Sequence, residues 1–377
     1  TDKPLIKDMS GQYIGTKRDD FVKTSKYFME NLTDADLARH SGKSHRGLDH
    51  YERKWLQIGV ATKNEDVLKE YRHNMIGDTY LDVPGLKEEM KEWKFPLHFI
   101  DFETSAVALP FYDKMRPYEQ IAFQFSHHRV DMNEDGTYKV THAGQFINTE
   151  KGHFPNFDFI RALKAELDQD EGTIFRYSNH ENTILREIHR QLDVRNEPDK
   201  KELQDFIDSI THYEEGKVKY VGDRDMVDLA DVVLKYYFHP IMKGSYSIKV
   251  VLPAVQNSSD FIKEKYSKPV YGSPDMPSAN LSEPKVWIEY GPDGSVLSPY
   301  KLLPPVSSYL GIETDLDERE LNVTESIANG GAALAAYAKM QFSDETMSEA
   351  LKKALLTYCE LDTLAMVFIW EYFHHEC

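Results

Sequence analysis

Cysteine is nearly absent from this chain. Cys359 and Cys377 are the two present in 377 residues. Two thiols make neither a disulfide framework nor a four-cysteine zinc site. A reducing, cytoplasmic setting is therefore expected. Long apolar runs are also missing. No stretch approaches the roughly 18 residues of a membrane span, so no membrane partner is expected. The opening TDKPLIKDMSGQY lacks the basic-then-apolar pattern of a leader. A basic excess is lacking too, since the formal charge is −18. Residues 1–95 hold 17 basic and 17 acidic residues, and the remainder holds 28 and 46. That argues against nucleic-acid binding by bulk charge. It leaves room for a local basic groove, or for acids gathered around metal ions.

Apolar residues make up 41% of the chain, enough for a sizeable core. The length fits one large or two modest domains. Residues 1–18 show no periodicity. From 19 to 94 the pattern is helical. Thr33 with Asp34 and Asp36 has the form of a helix start. Tyr51, Trp55 and Ile58 keep helical spacing, as do Val67, Tyr71 and Met75. A short helix is expected over 86–93. A helical N-terminal segment or linker over 1–95 follows, with the main domain over 96–377.

The main domain opens on an apolar strand, 97–103. A second strand is expected over 120–130 and a third over 138–147, joined by the turn Asn133-Glu134-Asp135-Gly136. So short a turn makes them antiparallel neighbours. Helices over 157–167, 180–192 and 201–210 alternate with strands at 173–177 and 226–229, and a helix follows over 230–237. That order is an α/β mixed sheet flanked by helices. A helix over 245–255 precedes a Ser-, Pro- and Gly-rich insertion, 256–310, with an exposed hairpin around Gly291-Pro292-Asp293-Gly294. A helix over 324–340 and a long one capped by Ser343 complete the chain.

Three stretches carry chemistry. Asp101 and Glu103 are two apart on the first strand and share a face. Two buried carboxylates repel unless something positive joins them, and a divalent ion is the simplest candidate. On the last helix, Leu351, Leu355, Tyr358, Asp362, Ala365, Ile369 and Phe373 lie on one inward stripe. Asp362 is an acid in that apolar stripe, one turn after Tyr358. Glu181 opens the middle helix within Tyr177-Ser178-Asn179-His180-Glu181-Asn182. The helix dipole alone explains an acid there equally well.

Asp-x-Glu on a first strand, an acid opening a middle helix and Tyr-x-x-x-Asp on a final helix resemble the DEDD-type 3′–5′ exonucleases, in their tyrosine branch. The strings IDFET, RPYEQIAFQFS, HENTIL, KGSYSIKVVLP and YCELDTLAM are similar to those of a bacterial family of unknown function, across about 96–373. Members of that family often follow a RecB-like nuclease domain, which makes such a module a candidate partner; residues 1–95 would be the tail of that arrangement, and they carry no nuclease motif. The resemblance implies an RNase H-like fold and phosphodiester hydrolysis on single-stranded DNA or RNA ends. It implies two Mg²⁺ or Mn²⁺ ions bridged by Asp101. Glu103 and Asp362 would complete one shell, Glu181 would support the other ion, and Tyr358 would orient the attacking water. Two ions about 3.5–4 Å apart stabilise both the attacking and the leaving oxygen, and hard carboxylate oxygens suit them. One departure stands out. The second acid is Glu181 where the pattern usually has Asp, and Tyr177 precedes it where Asn is common.

Secondary substrate-binding candidates are Arg116 and Tyr118 after the first strand, Asp228 (with Asp231 nearby), and Lys243, Ser245, Tyr246 and Lys249 at a helix start. Capping or surface roles suit these residues equally well. His127-His128 are adjacent on a strand and point to opposite faces, which argues against joint metal ligation. His374-His375 are expected in solvent. Two rival functions share the same residues: a structure-specific endonuclease, and an inactive fold that binds nucleic acid or protein.

Overall fold

The computed structural model describes residues 21, 24–33, 36–37, 47–310 and 326–377. Residues 1–18, Asp34 and the first residues of the helix expected from 324 lie outside them. The chain divides into two compact units. The first takes 1–92, 229–263 and 368–377, and the second takes 93–228 and 264–367. Segments 229–263 and 368–377 therefore join the N-terminal part, beyond a boundary at residue 95.

In the first unit, the helix His50–Thr62 starts on a capping box made by Asp49 and Glu52. Its Arg53 is buried and donates to the carbonyls of Leu234 at 3.0 Å and Tyr237 at 2.7 Å. The helical spacing at 67–75 yields only the short helix Glu65–Leu68. The chain turns instead at Gly77, with φ +60°, so that Met75–Ile76 pairs with Thr79–Leu81. Tyr237–Phe238 adds a third strand to that small sheet. A helix spans Val83–Met90.

The second unit is built on a five-stranded mixed sheet. Its strands are β1 (Leu97–Ser105), β2 (Ile121–Met132), β3 (Tyr138–Ile147), β4 (Ile174–Arg176) and, after an edge hairpin of β5 (His212–Glu215) and β6 (Val218–Val221), β7 (Val227–Asp228). The order is β3-β2-β1-β4-β7. The first three pair antiparallel, and β4 and β7 extend the sheet in parallel. Helices α1 (Asn156–Leu167), α2 (His180–Val194) and α3 (Lys200–Ile210) cover one face. Ile100, Phe102 and Phe125 of the sheet pack there against Phe159, Ile184 and Phe206. The other face carries α4 (Gly330–Met340) and α5 (Glu345–Glu376), whose residues up to 367 belong to this unit. This mixed α/β arrangement, a five-strand sheet flanked by helices, is consistent with an RNase H-like fold.

A bulge shapes the sheet beside the acidic pair. Glu103 faces Gln124, but Thr104 faces Ala122, so Phe123 is the extra residue. Gln124 then donates to the Leu355 carbonyl of α5 at 2.8 Å, and Phe123 stacks on Tyr337 of α4 with centroids 3.8 Å apart. Asp344, rather than Ser343, caps α5, through the Met347 amide at 2.9 Å. The 256–310 segment differs from an exposed hairpin. A single bridge, Tyr290 to Val296, forms at its turn, and Tyr271, Trp287, Ile288 and Tyr300 are buried.

Two buried polar rows flank the sheet. On the α5 side, Glu360 accepts from Tyr271, Ser278 and Asn280, while His128 lies between Thr363 and Tyr271. On the α1 side, Asp170 meets His98 Nε2 at 2.8 Å, and His98 Nδ1 meets His127 Nε2 at 2.9 Å. His127 Nδ1 then meets Glu166 at 3.3 Å. The adjacent pair His127-His128 thus faces opposite sides.

Candidate metal centre

β1 presents Asp101 and Glu103 on the face that α5 covers. From α5, Asp362 reaches the same place. Each of the three offers a carboxylate oxygen within 4.8 Å of the others. Glu103 and Asp362 are buried and Asp101 is half-buried. The apolar stripe on α5 drives that helix onto the sheet, and burial of the stripe carries Asp362 inward. Tyr358, one turn earlier, is buried beside it.

Glu181 comes from the opposite face, in the first turn of α2. It is 1% exposed, and nothing among the described residues hydrogen-bonds its Oε2. An orphaned buried carboxylate oxygen is costly and calls for a partner. The loop before α2 is fixed by Asp228 at the end of β7. Asp228 accepts from Arg176 at 2.8 Å and from the Ser178 amide at 2.9 Å. Ser178 has φ +71°, a left-handed turn that a serine adopts only when held. Asp228 therefore fixes the turn that delivers Glu181.

The electrostatics are those of crowded acids. Burial first, then Asp362, Glu181 and Glu103, push the Asp101 carboxyl well above the usual carboxylate range. Burial lifts Glu181 to about 8, with Asp228 adding to the rise and its own amide, Arg176 and the Phe102 amide opposing it. Burial and the facing Asp362 raise the Tyr358 phenol. It stays protonated at working pH. It is thus a hydrogen-bond donor or water-positioning group, not a base.

Two neighbours escaped the motif reading. Tyr300 donates a hydrogen bond to Asp362 Oδ1, and its ring centroid lies 6.2 Å from that of Tyr358. Cys359 Sγ lies 3.5 Å from the Asp101 carbonyl and 3.7 Å from its Oδ2. The Cys359 signal was present, because it sits one turn before Asp362 on the inward side. No periodicity marks Tyr300, which lies in the insertion.

The other candidates fall elsewhere. Arg116 and Tyr118 are on the loop after β1, and Tyr118 is 68% exposed. Lys243, Ser245, Tyr246 and Lys249 belong to the first unit, around the start of the helix Ile248–Ser258. Asp231 is exposed on the first unit's helix Leu229–Tyr236. In that unit His374 stacks on Trp370 and His375 on Phe261.

Fold and site together define an α/β protein with a buried acidic cluster of the kind that holds divalent cations. Hard carboxylate oxygens, a short mutual spacing and the orphaned Oε2 of Glu181 fit Mg²⁺ or Mn²⁺. A family model described as a domain of unknown function (DUF2779) matches residues 98–247. That span contains IDFET, RPYEQIAFQFS and HENTIL, and agrees with the resemblance to a bacterial family of unknown function. YCELDTLAM, with Tyr358 and Asp362, lies beyond it. No curated protein and no solved structure gives a match. No helix among the described residues is long and apolar enough to cross a membrane.

Proposed function

We propose that the chain is a metal-dependent nuclease that removes nucleotides from the 3′ end of single-stranded nucleic acid. The convergence of Asp101, Glu103 and Asp362 within 4.8 Å carries this reading. Glu181, approaching from the other face, supplies a fourth carboxylate that enters the electrostatics of Asp101. Asp101, Glu103, Glu181 and Asp362 would hold two Mg²⁺ or Mn²⁺ ions. When bound, such ions place positive charge against the attacking and the leaving oxygens of a phosphodiester.

The chain's own groups do the rest. Tyr358, a buried neutral phenol, holds water by donating to it or accepting from it. Tyr300 fixes the Asp362 carboxylate by its hydrogen bond. The Asp228–Arg176–Ser178 clasp fixes the approach of Glu181. Hydrolysis joins the water oxygen to phosphorus and breaks the bond to the leaving O3′. One water proton ends on that oxygen.

The test is a time course on 5′-labelled single-stranded oligonucleotides with Mn²⁺ or Mg²⁺. A ladder of products shortened from the 3′ end is expected, with Asp101→Ala and Asp362→Ala inactive. Cleavage of circular single strands would replace the exonuclease reading with an endonuclease. Absence of cleavage together with absence of Mn²⁺ binding by calorimetry would leave an inactive binding module.

A further inference from the structure

One side of α2 leads away from the acidic site. His180, Thr183, Glu187, Arg190 and Val194 recur at steps of three and four, so they share a helix face. His180, Thr183, Arg190 and Val194 are exposed. At the near end, His180 Nε2 lies 3.1 Å from Thr104 Oγ1, beside Glu103 in sequence. The far end opens into a surface cavity of about 780 Å³. Its wall includes Lys114, Arg116 and Tyr118 from the loop after β1, Arg190 and Val194 from α2, and Arg195 just past its end.

The charge of this cavity runs against that of the whole chain, which is −18. Two glutamates share its rim, and both are engaged. Glu187 pairs with Arg190, and Glu119 accepts from the Arg116 backbone amide at 2.7 Å. Among the described residues, no carboxylate lies within 4.0 Å of the charged ends of Lys114 or Arg116. Between these cations, Tyr118 and Val194 are 68% and 74% exposed. Tyr118 is set outward by a φ of +60° and by the hydrogen bond its backbone N–H donates to the Val107 carbonyl at 2.8 Å. An exposed ring among cations is what a single strand uses: phosphates on the charges, a base on the ring.

The distance also fits. Nine residues of α2 separate Glu181 from Arg190, about 14 Å along the axis. Four residues separate Glu103 from Val107, at most about 14 Å of chain. At about 3.4 Å per stacked nucleotide, that is roughly four nucleotides.

We propose that this cavity is a second seat for the substrate strand, holding single-stranded nucleic acid about four nucleotides from the bond at the acidic site. The proposal rests on the nuclease reading for its orientation, but its test does not require cleavage.

Anisotropy of labelled dT20 and rU20 is measured in EDTA across a salt series. Wild type should bind, with log K falling against log salt at about −0.7 per phosphate contact. The double variant R116A/R190A should bind at least tenfold more weakly and lose about 1.4 from that slope. Tyr118→Ala should weaken binding by about five- to a hundredfold and leave the slope unchanged. In Mn²⁺, the same variants should raise KM for dT20. Wild-type affinity and slope in R116A/R190A would overturn the proposal. So would failure of the wild type to bind either strand. Cleavage with cavity-independent binding removes the seat and keeps the nuclease. Cavity-dependent binding without cleavage does the reverse.

Discussion

Asp101→Asn should act in opposite directions in two buffers. In EDTA, Asp101 faces Asp362 and Glu103 with oxygens within 4.8 Å. Two full charges at that spacing repel by about 3.5 kcal/mol at an effective dielectric of about 20. The cluster relieves part of this by keeping protons, as the raised Asp101 and Glu181 show. The relief left for a neutral amide is therefore about 1–2 kcal/mol at pH 8. For a unit of roughly 240 residues, each kcal/mol moves the midpoint by about 2–4 °C. The amide variant should thus melt several degrees above wild type in EDTA. In Mn²⁺ at a hundred times Kd, wild type gains about 2.7 kcal/mol and the variant little, so the order inverts. Differential scanning calorimetry in both buffers reads the crossing. A variant that melts below wild type by the same margin in both would refute the reasoning. Asp101 would then be an ordinary satisfied buried acid, with no need of a cation.

Glu181 has a folded pKa of about 8 against an ordinary 4.5. Its protonated form stabilises the metal-free fold fully below 4.5, and that contribution is lost as pH rises to about 8. The loss is on the order of a few kcal/mol. Urea midpoints in EDTA should fall between about pH 5 and about pH 8, with Glu181→Gln falling less; an equal fall in the variant counts against this assignment. Tyr300→Phe removes the donor to Asp362 Oδ1. It should cost about 1–3 kcal/mol, the penalty for leaving a buried acceptor without its donor. A loss near zero in urea denaturation would show that water replaces the phenol.

Periodicity made the sheet and the acids readable. β1 follows from a short apolar run, as a strand buried on both faces requires, and the β2–β3 hairpin from its Gly turn. Asp362 was visible because a charge interrupted an apolar stripe. Phe123 as the extra residue was not visible: a bulge is a decision of the pair of strands, not of either one. Val67, Tyr71 and Met75 kept helical spacing, yet the Gly77 turn and a partner strand at 79–81 prevailed over it. The insertion was hardest. Tyr271, Trp287 and Tyr300 are core residues on irregular chain; Tyr271 meets His128 of β2 and Glu360 of α5, Tyr300 meets Asp362 of α5, and no local repeat marks them. The polar groups that hold Asp362 and Glu360 in place were hidden for the same reason.

The row Asp170–His98–His127–Glu166 has a consequence in proton number. Four groups make three contacts, and each hydrogen bond uses one proton. Two neutral imidazoles bring two protons. With both carboxylates ionised, the row is complete only when a third arrives. On His98 that third proton is opposed, since burial and then His127 hold the ring down at about 4. Arg129, 3.2 Å from Asp170, keeps that end anionic, and Arg224, whose charge also acts on His98, adds to the opposition. With both rings neutral the row is one proton short, so its three contacts cannot all be hydrogen bonds at once. Its fingerprint is the His98 ring, whose nitrogen chemical shifts should keep the neutral pattern down to about pH 4.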